Sequence, residues 1–493
     1  MDLRTFLDQR CEARGDAEFL RYRGRRWSYQ DLAAITDGAA SAWSRLGLRR
    51  GDRAAVLLPN GPDLLFSWLA LAKLGVVTVP LHPQLTAAEA GRILAHVEPR
   101  AMVRDASLSA GAFAAPQGCT LVVEQGAALD EILSCRDTLW GAPGPGPDDA
   151  ADILMTSGTT GMPKGVVQSH RALTLTGQGF VHWLGLGPQD CLFTCLPFSH
   201  INARAYSTMG ALAAGASLAV EERFSASRFW SWIAESGATE VNAIGAMLNI
   251  LSQAPPSPSD RSHRLRLVYS APALGEAAHQ EFERRFGVRL VIGYGLTEST
   301  FGFIHPLAGE RRLHTMGKPR RHPDPALACE VKLIDDTGRE ADEGEICLRN
   351  PAVFAGYFRD EAATREAITS DGWLRTGDIA RREAGGWYTF VARRKEIIRR
   401  RGENIAPAEV ETALMSHPSV KEAAVVGCRS SLGEEDVAAF VVLHPGATVG
   451  TEELRAHAAG LLAPFKVPTV WRFLDDLPRT PTQRVAKHLL RPD

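Results

Sequence analysis

Asp152-Ile-Leu-Met-Thr156-Ser-Gly-Thr-Thr-Gly-Met-Pro-Lys164-Gly165 is the stretch from which the fold is read. Its first four residues form an apolar run that reads as the end of a strand, and a helix can begin after His170. Between the two stand small hydroxylated residues, three glycines and one lysine. A loop of this kind offers backbone N–H donors, hydroxyls and a cation, which suits the oxygens of a polyphosphate. Its spacing is not that of a P-loop, which needs Gly, four residues and then Gly-Lys-Ser/Thr. Ser/Thr/Gly clusters also make plain solvent-exposed linkers. On its own the loop leaves both readings open.

Outward from the loop, the alternation of strand and helix repeats. On the amino-terminal side, residues 53–58 (Arg-Ala-Ala-Val-Leu-Leu) read as a short buried strand ended by Pro59-Asn60-Gly61. Residues 64–74 are helical and 76–80 again a strand. Residues 29–46 carry a near-helical stripe of Leu32, Ala33, Ile35, Ala39, Ala40, Trp43 and Leu46. On the carboxyl-terminal side, apolar runs at 191–196, 217–220, 266–269 and 289–294 each have a helical neighbour. Alternation of this kind predicts parallel sheets with helices on their faces. From Glu330 short strands take over, at 330–334 and 344–348 around a turn at 335–338, with a second turn at Gly385-Gly386. After Arg393 a compact unit follows: a helix at 407–416 with Pro407 in its first turn, strands at 422–428 and 437–443, and a helix at 452–462. The predicted fold is α/β, with a large N-terminal domain of mixed α/β sheets (1–395) that includes a small β subdomain. A small α+β C-terminal domain (396–493) completes it.

Composition narrows the function. A chain of 493 residues exceeds what one core serves. Apolar and charged contents of 45% and 23% fit a soluble globular protein. A net charge of −2 argues against a general nucleic-acid binder. The chain begins Met-Asp-Leu-Arg without an apolar segment, so no secretory signal is expected. The longest apolar stretch, 64–81, is broken by Ser67, Lys73, Gly75 and Thr78 and reads as helix then strand, not as a membrane span. The cysteines at 11, 119, 135, 191, 195, 329, 347 and 428 include no C-x-x-C pair, so reduced thiols and a cytoplasmic location are expected. Of 55 basic residues only eight are lysine, at 73, 164, 318, 332, 395, 421, 466 and 487. A lysine kept against that bias draws attention to itself, Lys164 among them.

Three further stretches carry chemistry. Leu196-Pro-Phe-Ser-His200-Ile-Asn202 ends a strand and presents a histidine, although a neutral imidazole also packs well in a purely structural role. Gly293-Tyr-Gly-Leu-Thr-Glu298 follows a strand at the carboxyl-end position where open α/β sheets bind ligands. There Tyr294 offers a face for a base, Thr297 a hydroxyl and Glu298 a hard oxygen ligand for Mg²⁺. Thr376-Gly-Asp378 places a carboxylate after a tight turn, suited to a ribose diol.

Taken together with the loop, these segments resemble, in order and over nearly the whole chain, the adenylate-forming superfamily of acyl-CoA ligases, peptide-synthetase adenylation domains and luciferases. Ser270-Ala271-Pro272 resembles the adenine loop of that family. Residues 315–319 and Gly356-Tyr357 resemble its connecting motifs, and 393–411 its hinge and the segment after it. The segment 198–205 is similar to the carnitine- and crotonobetaine-CoA ligase branch.

The resemblance implies a two-step reaction: a carboxylate attacks the α-phosphate of Mg·ATP, giving an acyl-adenylate and pyrophosphate, and after rotation of a mobile C-terminal domain a CoA thiol displaces AMP. It implies that Thr156, Ser157, Gly158, Thr159, Thr160, Gly161 and Lys164 hold the β- and γ-phosphates. Tyr294 would stack near adenine, Thr297 touch the α-phosphate and Glu298 hold Mg²⁺. Asp378 and Arg393 would bind the ribose, with the hinge at Glu396. His200 would line the acyl site, and Gly402 the thiol tunnel.

The chain departs from the family pattern at its end. Where the resemblance leads one to expect Gly-Lys, the sequence has Gln483-Arg484. Arginine keeps the charge but is bulkier and planar, and the two are not interchangeable at a tight site. Either Arg484 serves in the lysine's place, or Lys487 or another basic residue does, or the first half-reaction has changed. Ala392, Glu396 and Ser199 replace the usual hinge glycine, hinge aspartate and phenylalanine. Besides CoA, an amine acceptor (an amide synthetase), an unusual acid such as nitrite, and a nucleotide-binding protein without catalysis remain possible readings. No membrane span or nucleic-acid partner is expected. The candidate acid-pocket segments 201–204, 244–247 and 295–302 are mostly small or apolar.

Overall fold

The computed structural model describes residues 1–105, 107, 114–137, 143–156, 163–271, 275–400, 403–429, 435–480 and 485–492. They form two compact units, 1–331 with 348–374, and 332–347 with 375–493. The expected break at 395/396 therefore falls inside the second unit, which also takes in most of the small β subdomain.

Two sheets dominate the first unit. One has seven strands, in the order Gly356–Tyr357, Lys164–Ser169, Ala150–Thr156, Val77–Pro80, Arg53–Leu57, Ala101–Arg104 and Leu121–Glu124. Pairing from Ala150–Thr156 to Leu121–Glu124 is parallel, as the alternation predicts. Helix Pro62–Leu74 starts with proline at its first turn and ends on the left-handed Gly75. The other sheet has nine strands and pairs Cys191–Thr194, Glu240–Ile244, Leu267–Ala271 and Arg289–Tyr294 in parallel.

The sequence reading misses the strand Lys164–Ser169, which runs antiparallel to Ala150–Thr156 before helix His170–Leu184 begins. Its Lys-Gly-Val-Val-Gln-Ser pattern is too short and too polar to announce a strand, and its partner supplies the ladder. The segment after His200 is also not plain loop, because Asn202–Thr208 forms a π-helix, a distortion frequent at functional sites.

The second unit holds a four-stranded sheet, in the order Glu330–Ile334, Glu343–Arg349, Leu374–Glu383 and Trp387–Arg393, and a three-stranded one of Val420–Arg429, Glu435–Leu443 and Val470–Phe473. Helices Pro407–Met415 and Thr451–Leu461 supply Val410, Leu414, Leu454 and Ala458 to a core with Val425, Val437 and Ala439. Among the described residues no helix is long and apolar enough to cross a membrane.

Glu240, the first residue of its strand, is fully buried, and neither carboxylate oxygen has a hydrogen-bond partner among the described residues. Burial, with the nearby Asp190 carboxylate adding to it and Arg266 opposing, raises its pKa well above the usual carboxylate range. The folded chain thus keeps a proton that the unfolded chain has released above its own value of 4.5, so stability falls as pH rises from there through the raised folded value. Glu240→Gln removes that loss. The variant's urea midpoint is expected to exceed the parent's by an amount that grows as pH rises above about 5; a constant or shrinking difference refutes the assignment.

Candidate functional site

The phosphate-loop candidate leaves one strand at Thr156 and enters the next at Lys164, and these two residues face each other across the ladder. The Thr156 hydroxyl donates to the Lys164 carbonyl at 3.3 Å. Ser157, Gly158, Thr159, Thr160 and Gly161 lie outside the described residues. The Lys164 ammonium sits 4.5 Å from the centre of the Tyr357 ring.

That ring leads to the second motif. Tyr357 Oη donates to Glu298 Oε1 at 2.9 Å. Burial, then the Glu298 charge, pushes the phenol's pKa up, so it stays a donor. The Glu298 backbone is held from the same side, its carbonyl accepting from Phe354 N at 2.8 Å, with a bridge between Ser299 and Val353. Gln168, buried on the strand Lys164–Ser169, donates its amide to the Thr297 carbonyl. Gly293 is required by packing: a Cβ there would lie 2.3 Å from the Tyr269 hydroxyl. The structure therefore brings Thr156, Lys164, Thr297 and Glu298 into one connected set. Of the two residues that join them, Tyr357 stands in a stretch that resembles a connecting motif and Gln168 in none; neither announces this role in the sequence.

Tyr294 ends its strand half-buried, its ring 5.6 Å from that of Phe303. Ser270 is fully buried and its hydroxyl has no hydrogen-bond partner among the described residues, whereas Ala271 is exposed. Of the expected adenine loop's two described residues Ala271 is the one at the surface, and Pro272 lies outside the described residues. His200 is half-buried and faces His82, with ring centroids 6.0 Å apart. His82, in the loop after the strand Val77–Pro80, accepts from Gln84 N at 3.1 Å through Nδ1, and burial lowers its pKa. Asn60 fixes the loop before His200, donating to the Leu196 carbonyl at 2.8 Å and accepting from Phe198 N at 3.1 Å.

Arg204, in the first candidate pocket segment, does not line an apolar cavity. It is fully buried, its Nη1 2.8 Å from Asp152 Oδ1 and its guanidinium 4.4 Å from the Trp68 ring centre.

In the second unit the structure joins Asp378 and Arg393, which pair across adjacent strands with Nε to Oδ1 at 3.3 Å. Gly377 takes the left-handed turn before the carboxylate, at φ +72°. Gly402 and Arg484 lie outside the described residues. Lys487 is engaged elsewhere: its ammonium is 2.7 Å from Glu411 and 3.3 Å from Glu396. Glu411 is in turn fixed by Val425 N at 2.7 Å. A lysine held by two carboxylates is a poor replacement for the missing one.

Among the described residues no group of three His, Cys, Asp or Glu side chains forms a metal cage. Glu298 nevertheless fits Mg²⁺, which is usually bound by one or two carboxylates together with substrate phosphates: one of its oxygens is oriented by Tyr357, and the side chain is only half-buried.

Comparison with known proteins identifies relatives over the length of the chain. The chain matches the AMP-binding enzyme family over residues 7–358 and the AMP-binding enzyme C-terminal domain over 409–484. It is 32% identical to a crotonobetaine/carnitine–CoA ligase from Salmonella paratyphi A, covering 99% of both chains. Among solved structures it is similar to ATP-bound MatB from Rhodopseudomonas palustris, with a TM-score of 0.91, 28% identity and coverage of 100% and 98%. It is also similar to the O-succinylbenzoate coenzyme A synthetase of Bacillus subtilis in complex with ATP and magnesium, with a TM-score of 0.86, 27% identity and 98% coverage of each.

Proposed function

Because the chain belongs to the AMP-binding enzyme family, we propose that it is an acid–CoA ligase that activates a carboxylic acid with Mg·ATP and passes the acyl group to the thiol of CoA. The observation that carries this reading is the connected set of Lys164, Tyr357 and Glu298 beside the strand ends at Thr156 and Tyr294. One cation and one carboxylate, at hand and not paired with each other, suit a triphosphate and its metal.

In this reading a carboxylate oxygen of the acid attacks the α-phosphorus and pyrophosphate leaves. The thiol sulfur then attacks the acyl carbon, and AMP leaves with the electron pair of the broken C–O bond. Lys164 and residues 156–161 steady the β- and γ-phosphates. Glu298 holds the metal, which neutralises phosphate charge when bound. Thr297 lies beside the α-phosphate and Tyr294 beside the base. In the second unit Asp378 and Arg393 take the ribose hydroxyls. His200, with His82 beside it, borders the acyl end, and Gly402 the thiol path. Such chemistry consists mostly of positioning and charge neutralisation. The functional division between the adenylating and mobile parts is placed at 395/396.

Acid-dependent ATP–pyrophosphate exchange over a panel of acids tests the first step, and product mass spectra with CoA, with an amine and with neither test the acceptor. Exchange with no acid sinks the reading; an amide without CoA replaces the acceptor. Arg484 is assigned the charge that the family's lysine carries, since Lys487 is already engaged. Arg484→Lys is expected to raise exchange several-fold, because a compact ammonium fits a point-charge site better than a planar fork. No change or a loss would show that the site is built for arginine.

A further inference from the structure

We propose that Tyr357 is a positioning residue of the nucleotide site: it holds Lys164 by its ring and Glu298 by its hydroxyl, and so keeps the two charges available and apart. The inference rests on the nucleotide reading above and extends it to a side chain that touches neither reactant in that reading.

Lys164 opens a strand of the seven-stranded sheet, whereas Glu298 lies in the loop after the strand Arg289–Tyr294 of the nine-stranded sheet, and lysine has a flexible four-carbon stem. Left alone in a half-buried site, opposite charges attract and pair. An ion pair between them would satisfy both groups and leave neither for phosphate or metal. The structure shows another arrangement. Lys164 Nζ lies 4.5 Å from the Tyr357 ring centre, within cation–π range. Glu298 Oε1 accepts the Tyr357 hydroxyl at 2.9 Å. Among the described residues no ion pair joins Lys164 and Glu298.

Tyr357 is itself fixed. It pairs with Val166 across the antiparallel edge of the sheet. Its backbone N–H donates to Thr364 Oγ1 at 2.9 Å, and its ring packs edge-on against Phe354 at 4.8 Å. The same short segment clasps the Glu298 backbone through Phe354 and Val353. One bracket, 353–357, therefore sets the distance between the lysine strand and the carboxylate loop. Its perch for the lysine is a weak one that an anionic phosphate outcompetes, whereas a carboxylate partner would not be displaced so readily.

Two variants separate the ring from the hydroxyl. Tyr357→Phe keeps the ring, and Tyr357→Leu removes both contacts. Calorimetric binding of ATP is measured across a Mg²⁺ titration, without any acid. Tyr357→Phe is expected to raise the Mg²⁺ needed for half-saturation about tenfold, as loss of an outer-shell partner does, and to match the parent in ATP affinity at saturating Mg²⁺. Tyr357→Leu is expected to bind ATP about tenfold more weakly even there. A structural role alone would not split magnesium dependence from ATP affinity in this way. An unchanged Mg²⁺ dependence in Tyr357→Phe overturns the proposal, as does Tyr357→Leu binding no worse than Tyr357→Phe. If Tyr357→Leu fails to fold, the Tyr357→Phe titration alone decides. A parent chain that binds Mg·ATP but exchanges pyrophosphate with no acid defeats the ligase reading only; one that binds no Mg·ATP defeats both.

Discussion

Glu298→Gln lowers the rate of acid-dependent pyrophosphate exchange by about 10²–10³-fold, the range found when one preorganised electrostatic contact is removed. The substitution deletes one charge and little else. Glutamine still presents a side-chain oxygen to the Tyr357 hydroxyl, and the backbone contact with Phe354 is untouched. The fold should therefore be preserved, and the urea midpoint should stay within experimental error of the parent's. What is lost is the anionic oxygen for the metal, since Mg²⁺ prefers carboxylate and phosphate oxygens to a neutral amide. Extra Mg²⁺ should recover only part of the rate. Full recovery at high Mg²⁺, or exchange within threefold of the parent, would remove Glu298 from the metal site. A matching drop in the urea midpoint would make its role structural.

Arg204→Met destabilises the first unit by about 3–5 kcal/mol, the cost of removing one partner from a buried ion pair. Arg204 and Asp152 are both fully buried. Asp152 also accepts from Trp68 Nε1 at 3.1 Å and from the Thr78 hydroxyl. Arg204 reaches Thr78 Oγ1 at 3.1 Å and the Phe198 carbonyl at 2.6 Å. The pair therefore ties the seven-stranded sheet to the loop that precedes His200. Methionine fills much of the volume but leaves the Asp152 carboxylate buried with neutral donors only, which is where most of the cost arises. Urea denaturation followed by tryptophan fluorescence reads the effect, with Trp68 beside the site. A loss below about 1 kcal/mol, the size of an exposed pair, would mean that water reaches Asp152. Restoring stability with a second change, Asp152→Leu, would support the charge as the cause.

The architecture was largely legible because periodicity is a local property. Runs such as 53–58 and 64–74 carry their own apolar pattern, and the structure confirms them as Arg53–Leu57 and Pro62–Leu74 with shifts of one or two residues at the ends. Lys164–Ser169 was not legible, since its strand character depends on a ladder with Ala150–Thr156 on one side and Gly356–Tyr357 on the other. Among site residues, Lys164, Glu298 and Asp378 stand in stretches whose composition points to phosphate, metal or ribose, and Arg393 is marked by the family resemblance. Tyr357, Gln168, Asn60 and His82 do not. Each acts through a partner more than 50 positions away, or faces one, and although Gly356-Tyr357 resembles a connecting motif, no local pattern shows what any of them contacts.

The sequence by itself determined the kind of protein this is: alternating strands and helices, a glycine-rich cationic loop after a strand, and a carboxylate after another, in the order of one family. It also determined that lysine is absent at position 484. The tertiary structure decided how those groups are spent. It buried Lys73 and paired it with the partly exposed Asp8 and Asp37, engaged Lys487 with two carboxylates, and left Lys164 on an aromatic face. The physical reason is that a charge's role depends on its partner and its solvent, and both are set by residues far away in the chain. A sequence records the charge; only the fold shows what it is paired with.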